Sequence, residues 1–464
     1  MFNDSISTPP PYEPFQRVGL TSTDPISHLI PTRDEADSSA DRNPSLIKGM
    51  PLPGESATSR TGISDAFEPP VVIGTAALTT AAMSGVGPDT LTSMIGQLDT
   101  DPGARVYDTS IVLQFVGRRA DAMVMQDVAV GASPVLRVRR ESRKSAALRL
   151  LALVVPGDLM SNTPLDFITN HLDVQLDLLF LVPGQALPAS IPDHDLMFFA
   201  ASEPDVATLA RMSSFFTSWP RPVLNDPSFL PRLARDKLAG LLADVPTIFS
   251  PPTVEVGRIT LDSVCSGAAE IDDILPRCSY PVLIRPLGSH AGKGLSKIDG
   301  PADLAAYLLA SSEVSYYLSE FVDYRGADGF YRKYRVAFID REPHLCHMAA
   351  SASWMVHYLN AGMAESAAKR ADEAQAMAHF ATTFAARHGA AFAALHDLLP
   401  FDYYSIDCGE LPDGRLLVFE ADTAAIIHMM DPVDTFPYKH AQMRRVFDAF
   451  GEMLRRRSAD NRFA

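Results

Sequence analysis

Three carboxylates stand at the ends of two neighbouring apolar runs: Asp407 in Tyr404-Ser-Ile-Asp407, then Glu420 and Asp422 in Leu-Val-Phe-Glu420-Ala-Asp422. Residues 403–408 and 416–420 read as two strands joined by a Pro-Asp-Gly turn at Gly414. A hairpin of this kind gathers like charges that repel unless something compensates them. Oxygen donors in this number suit magnesium or manganese, which complete their shells with water and phosphate oxygens. The alternative reading is a solvent-exposed acidic hairpin.

An upstream segment carries the complementary chemistry. An apolar strand over 282–284 delivers a fixed cation, Arg285, into a loop holding Gly288, Ser289, His290, Gly292, Lys293 and Gly294. Glycines accept positive φ and let backbone amides approach an anion closely. Arg285, Lys293 and Lys297 add full charges suited to phosphate oxygens. His290, inside the loop, is placed to touch a phosphate or a bound carboxylate. The spacing is neither that of a P-loop nor G-x-G-x-x-G. Together with the acidic hairpin, the loop makes a nucleotide–metal site.

The intervening segments must position these groups. Alternation along Tyr331-Arg-Lys333-Tyr-Arg335 puts Tyr331, Lys333 and Arg335 on one strand face. Cations there suit a transferring phosphoryl group, whereas an exposed strand face needs none; the apolar end over 336–339 favours the functional role for Arg335. His357 and Asn360, close to Trp354, could orient an acyl acceptor or serve only the packing. His428 reads as a helix residue near the metal end. Earlier in the chain, strand patterns at 150–155, 174–182 and 196–200 alternate with a helix over 206–216, implying a mostly parallel sheet. Ligands of such sheets sit beyond the strand carboxyl ends. Asp158, Asn162 and Thr163 are therefore candidates for substrate contact, or caps of the turn and the next helix.

Three stretches, 284–295, Ser319-Glu320-Phe321-Val322 and Asp407 with Glu420-Ala-Asp422, resemble the ATP-grasp superfamily of ligases. The resemblance spans roughly 150–457. It implies an ATP-grasp fold, of α/β (α+β) class, preceded by a parallel-sheet substrate domain. It further implies that Glu320, Phe321 and Val322 read the adenine and that Asp407, Glu420 and Asp422 hold Mg2+ or Mn2+. Arg335 would contact phosphate, and Lys237 would be a further phosphate cation, although on a plain reading it is a solvated helix charge. Arg285 stands where the family usually has lysine, and Asp422 where it has asparagine. The implied activity is an ATP-dependent carboxylate–amine ligation through an acyl-phosphate, with the Gly288–Gly294 loop closing over it. A kinase-like phosphotransferase and a catalytically silent nucleotide-binding module are the alternatives.

Composition sets the outer bounds. The 464 residues suffice for several domains, and 47% hydrophobic with 21% charged residues is ordinary for a globular chain. A net charge of −16 argues against nucleic acid or an anionic membrane as partner. The four cysteines lack paired or zinc-like spacing, which with the absence of a signal pattern leads to the expectation of a cytoplasmic protein. Residues 1–68, rich in Pro and Ser, read as a disordered tail that could dock a protein partner. Residues 69–145 read as a small helical region, 146–252 as an α/β domain and 253–458 as the nucleotide-binding domain. The substrates would be a small-molecule or peptide carboxylate and an amine, and a homodimer is compatible with the reading.

Overall fold

The structure is a computed structural model that describes residues 61–97, 101–140, 145–289 and 292–460. Most of the expected tail, and His290 in the glycine loop, lie outside the described residues. The described chain falls into two compact units, one within 15–159 and 174–195, the other within 160–173 and 196–464.

In the first unit the helices Thr75–Met83, Pro88–Gly96, Pro102–Phe115 and Arg119–Ala132 accompany a mixed sheet. Val71–Val72 runs parallel to Val135–Val138, which is antiparallel to Val174–Phe180, itself parallel to Leu148–Val154. Within the region read as helical, 69–145, Gly117 turns the chain at φ 78° between the third and fourth of these helices. Asp108 is fully buried and accepts from the amides of Ile73 (2.8 Å) and Gly74 (3.2 Å). Its carboxylate thus meets the polar requirement of burial while tying the third helix to the turn that leads from Val71–Val72 into the first helix.

The second unit contains two antiparallel sheets relevant to function. One has the order Thr253–Gly257, Ser315–Glu320, Val282–Pro286, Ser296–Ile298. Val256, Val282, Ile284, Tyr316 and Leu318 pack with Leu261, Leu304 and Leu308 of two helices in one core. Alternation therefore turns Thr253, Ser319, Tyr317 and Arg285 to the opposite face. The other sheet has the order Glu342–Ser351, Tyr331–Ile339, Tyr403–Glu410, Leu416–Asp422, ending in a parallel Ile248–Phe249. Phe338 and Tyr404 stack at 4.7 Å, and Phe338 meets Phe392 of the Gly389–Leu398 helix at 5.3 Å. From the opposite face Tyr403 packs on Phe450 of the long helix Pro437–Asp460. Asp407 lies further along that strand on Tyr403's face. The fold is mixed α/β, with parallel and antiparallel strands. No helix among the described residues is long and apolar enough to cross a membrane.

Candidate active site

The hairpin over Tyr403–Glu410 and Leu416–Asp422 sets Asp407 directly opposite Glu420, and Ser405 opposite Asp422. Directly opposed residues share a face, so all three carboxylates stand on one side of the sheet. The row continues across two further strands, because Arg335 is opposite Asp407 and His347 opposite Arg335. Asp407 has a side chain only 3% exposed. Its Oδ1 accepts from Arg335 Nε at 2.8 Å, and its Oδ2 from Arg335 Nη2 at 3.0 Å and Lys333 Nζ at 2.8 Å. Burial drives this carboxyl toward protonation, but the Arg335 and Lys333 charges outweigh it and hold Asp407 well below the usual range. Glu420 follows the same logic: burial and Asp407 raise it, while Arg235, Lys333 and Arg285 bring it below normal. Its Oε2 is ion-paired with Arg235 Nη2. Asp422 Oδ1 accepts from the Ala424 amide at 2.6 Å.

Arg235 opens the Arg235–Leu242 helix. Arg285 sits opposite Tyr317 on the first antiparallel sheet, donating from Nε to Ser289 Oγ at 3.2 Å and from Nη2 to the Ser289 carbonyl. Burial, and then the like charge of Arg235, push Arg285 down to about 10. The charge of Glu420 raises the pKa of both arginines, while the like charge of Arg235 lowers that of Arg285. A desolvated guanidinium in that position favours an incoming anion.

The glycine loop completes this side. Gly288, Gly292 and Gly294 adopt φ of 67°, 73° and 69°. A Cβ on Gly294 would lie 2.7 Å from the Pro286 ring, and one on Gly292 would lie 2.8 Å from His357 Nε2. The loop backbone therefore rests against His357. Burial, then the neighbouring Lys333, push His357 down to about 4, so the ring is neutral at physiological pH. Asn360 Oδ1 accepts from the His357 amide at 3.1 Å, fixing the turn that carries both.

The remaining expected residues are placed unevenly. Glu320 ends its strand, and burial raises its pKa. The Phe321 ring meets Trp354 edge-on at 5.9 Å and has Lys297 Nζ 5.0 Å from its centroid. Val322 packs with Tyr324 and Leu417. Lys293 is exposed. Lys237 is also exposed (68%) and pairs with Asp236 at 2.8 Å, while Arg235, two residues earlier, reaches Glu420. Asp158 belongs to the first compact unit, where it pairs with Arg119 at 2.6 Å. Asn162 bridges to Ala201, and Thr163 gives both its amide (2.6 Å) and its hydroxyl (3.2 Å) to the Ala200 carbonyl. These bonds hold Thr163 to backbone rather than presenting it to a ligand. His428 Nδ1 accepts from the Met430 amide at 3.2 Å.

Two groups in the cluster have no site role in the sequence reading: Arg235 and His347. The strand alternation that singles out Arg335 applies equally to Lys333. His347 is visible only through the pairing register, which a single sequence does not reveal.

These carboxylates could supply only part of a divalent cation's shell: they share one sheet face, both oxygens of Asp407 already accept from Arg335 and Lys333, and Glu420 gives Arg235 one oxygen. Among the described residues no three His, Cys, Asp or Glu side chains converge to hold an ion by themselves. Magnesium bound through one or two carboxylates plus phosphate oxygens requires no such cage.

The solved structures with which the chain aligns are ATP-grasp ligases. Particular relatives can be named. Over 59 residues the chain is 44% identical to the formate-dependent phosphoribosylglycinamide formyltransferase of Leptothrix cholodnii, covering 12% of this chain and 15% of that one. Over 85 residues it is 38% identical to the enzyme of the same name from Mycolicibacterium smegmatis, covering 15% and 20%. The chain therefore matches less than a quarter of the length of these relatives. Among solved structures, D-alanine–D-alanine ligase of Bacillus anthracis aligns over 68% of this chain and 98% of its own, at TM-score 0.40 and 11% identity. A RimK domain ATP-grasp protein of Sphaerobacter thermophilus aligns over 66% and 98%, at TM-score 0.35 and 15% identity. No protein-family profile matches the chain.

Proposed function

We propose that this protein is an ATP-dependent ligase that activates a carboxylate as an acyl-phosphate and passes the acyl group to an amine. The observation that carries the reading is the concentration of charge on one sheet face. Arg235, Lys333 and Arg335 each contact a carboxylate of the row, and Arg285 stands beside them under a positive-φ glycine loop.

Arg285, Arg235 and the loop amides bind the nucleotide phosphates, with Lys333 and Arg335 on the transferring group. Asp407, Glu420 and Asp422 would hold the magnesium, which supplies neutralisation of phosphate charge when bound. The carboxylate oxygen of the substrate attacks the terminal phosphorus and ADP departs. The amine then attacks the acyl carbon, and phosphate leaves as the C–N bond forms. No side-chain nucleophile is required, so the protein contributes positioning and fixed charge. His357, held neutral beside the loop, helps to orient the acyl acceptor.

The experiment is a screen of carboxylate–amine pairs for ADP release, with products weighed by mass spectrometry. An amide formed one-for-one with ADP is the expected product. A phosphorylated compound as the stable end product would replace ligation by phosphotransfer, and absence of turnover in every mixture would leave a silent nucleotide-binding module.

A further inference from the structure

Two of the three carboxylates expected to serve a metal are already matched by basic side chains of the protein. Asp407 has Lys333 and Arg335, and Glu420 has Arg235. These pairs are largely withdrawn from solvent: the Arg235 and Glu420 side chains are 23% and 29% exposed, those of Lys333 and Arg335 15% and 20%. Arg235 is the informative member. It comes from a different element, the first turn of the Arg235–Leu242 helix, and lies beside the glycine-loop cation Arg285, which bears the cost of that proximity. Its role rests on the ligase reading above but is a separate property of the site.

We propose that Arg235 is an exchangeable counter-ion that couples metal to polyphosphate: it holds Glu420 when the site is empty and transfers to phosphate oxygens when a divalent cation takes Glu420. A cation arriving alone must displace Arg235 and leave a second unpaired guanidinium next to Arg285. A polyphosphate arriving alone must draw Arg235 away and leave Glu420 unpaired opposite Asp407. Each half-occupied state therefore strands a desolvated charge, whereas simultaneous arrival leaves none. The result is positive coupling between the two ligands, and by linkage each tightens the other by the same factor.

The test is a thermodynamic square measured on the full chain with Mn2+ and ATP. Mn2+ is followed by paramagnetic resonance with and without ATP, and ATP by calorimetry with and without Mn2+. The wild type should bind each ligand at least about tenfold more tightly in the presence of the other. Arg235→Gln should bind Mn2+ alone more tightly than wild type and lose most of the coupling, while Arg235→Lys should keep it in part. Glu420→Gln, which frees Arg235 from the other side, should bind metal-free ATP more tightly than wild type, and adding Arg235→Gln should remove most of that gain, whereas simple relief of the Glu420 charge would keep it. Wild-type-like coupling in Arg235→Gln overturns the proposal while leaving the ligase reading intact; if that variant does not fold, unchanged or weaker metal-free ATP binding in Glu420→Gln does the same. Absence of ATP binding by the wild type with Mn2+ present overturns both.

Discussion

Asp407 is the residue on which the site's electrostatics turn. Its three hydrogen bonds from Arg335 and Lys333 are made almost out of solvent, so removing its charge strands two cations. Asp407→Asn is expected to lower unfolding free energy by about 3–5 kcal/mol in urea titrations, the usual result of breaking a buried ion pair from one side. A cost below about 1 kcal/mol would mean that these charges are solvated. His357 gives a pH signature. Its pKa falls from the usual 6.5 to about 4 in the fold, so the unfolded chain binds its proton first as pH drops. The stabilisation is complete above about 6.5 and is lost progressively down to about 4. His357→Gln should therefore flatten the stability–pH curve within that window relative to wild type, and an unchanged slope would place the imidazole in water. Residue types revealed the anionic and cationic members separately, but not which would pair. Arg235 and Lys237 are both basic at a helix start, and only the helix phase turns one inward to Glu420 and the other to solvent.

Among the elements, the acidic hairpin is the most legible, because its Pro-Asp-Gly turn and flanking apolar runs are local signals. Its second strand runs on to Asp422, where pairing with Ser405 supplies a reason that sequence does not contain. The helical reading of 69–145 hides a break at Gly117, since the apolar spacing carries across a short turn. The glycine loop is legible as a phosphate loop but not as a neighbour of His357, a contact between segments more than sixty residues apart in the chain. That contact can be measured. Gly292→Ala combines a φ of 73° with a Cβ 2.8 Å from His357 Nε2, and is expected to cost about 1–3 kcal/mol. Adding His357→Ala should recover the steric share but not the backbone share, giving a non-zero interaction energy in a double-mutant cycle. Strict additivity would separate the loop from the histidine.

At the scale of the whole molecule, the two compact units divide the labour unevenly. The carboxylate row, its cations and the glycine loop all lie in the second unit, whereas Asp158, with its Arg119 partner, lies in the first. The net charge of −16 makes the cationic cluster more notable, because an acidic chain has gathered four basic groups beside the carboxylate row. The most direct measurement of that design is calorimetric titration of ATP, with magnesium and with chelator, into wild type and Glu420→Ala. Magnesium-dependent binding in the wild type that the variant loses is the expected result. A wild type that binds no ATP under either condition would contradict a nucleotide–metal site at Asp407, Glu420 and Asp422.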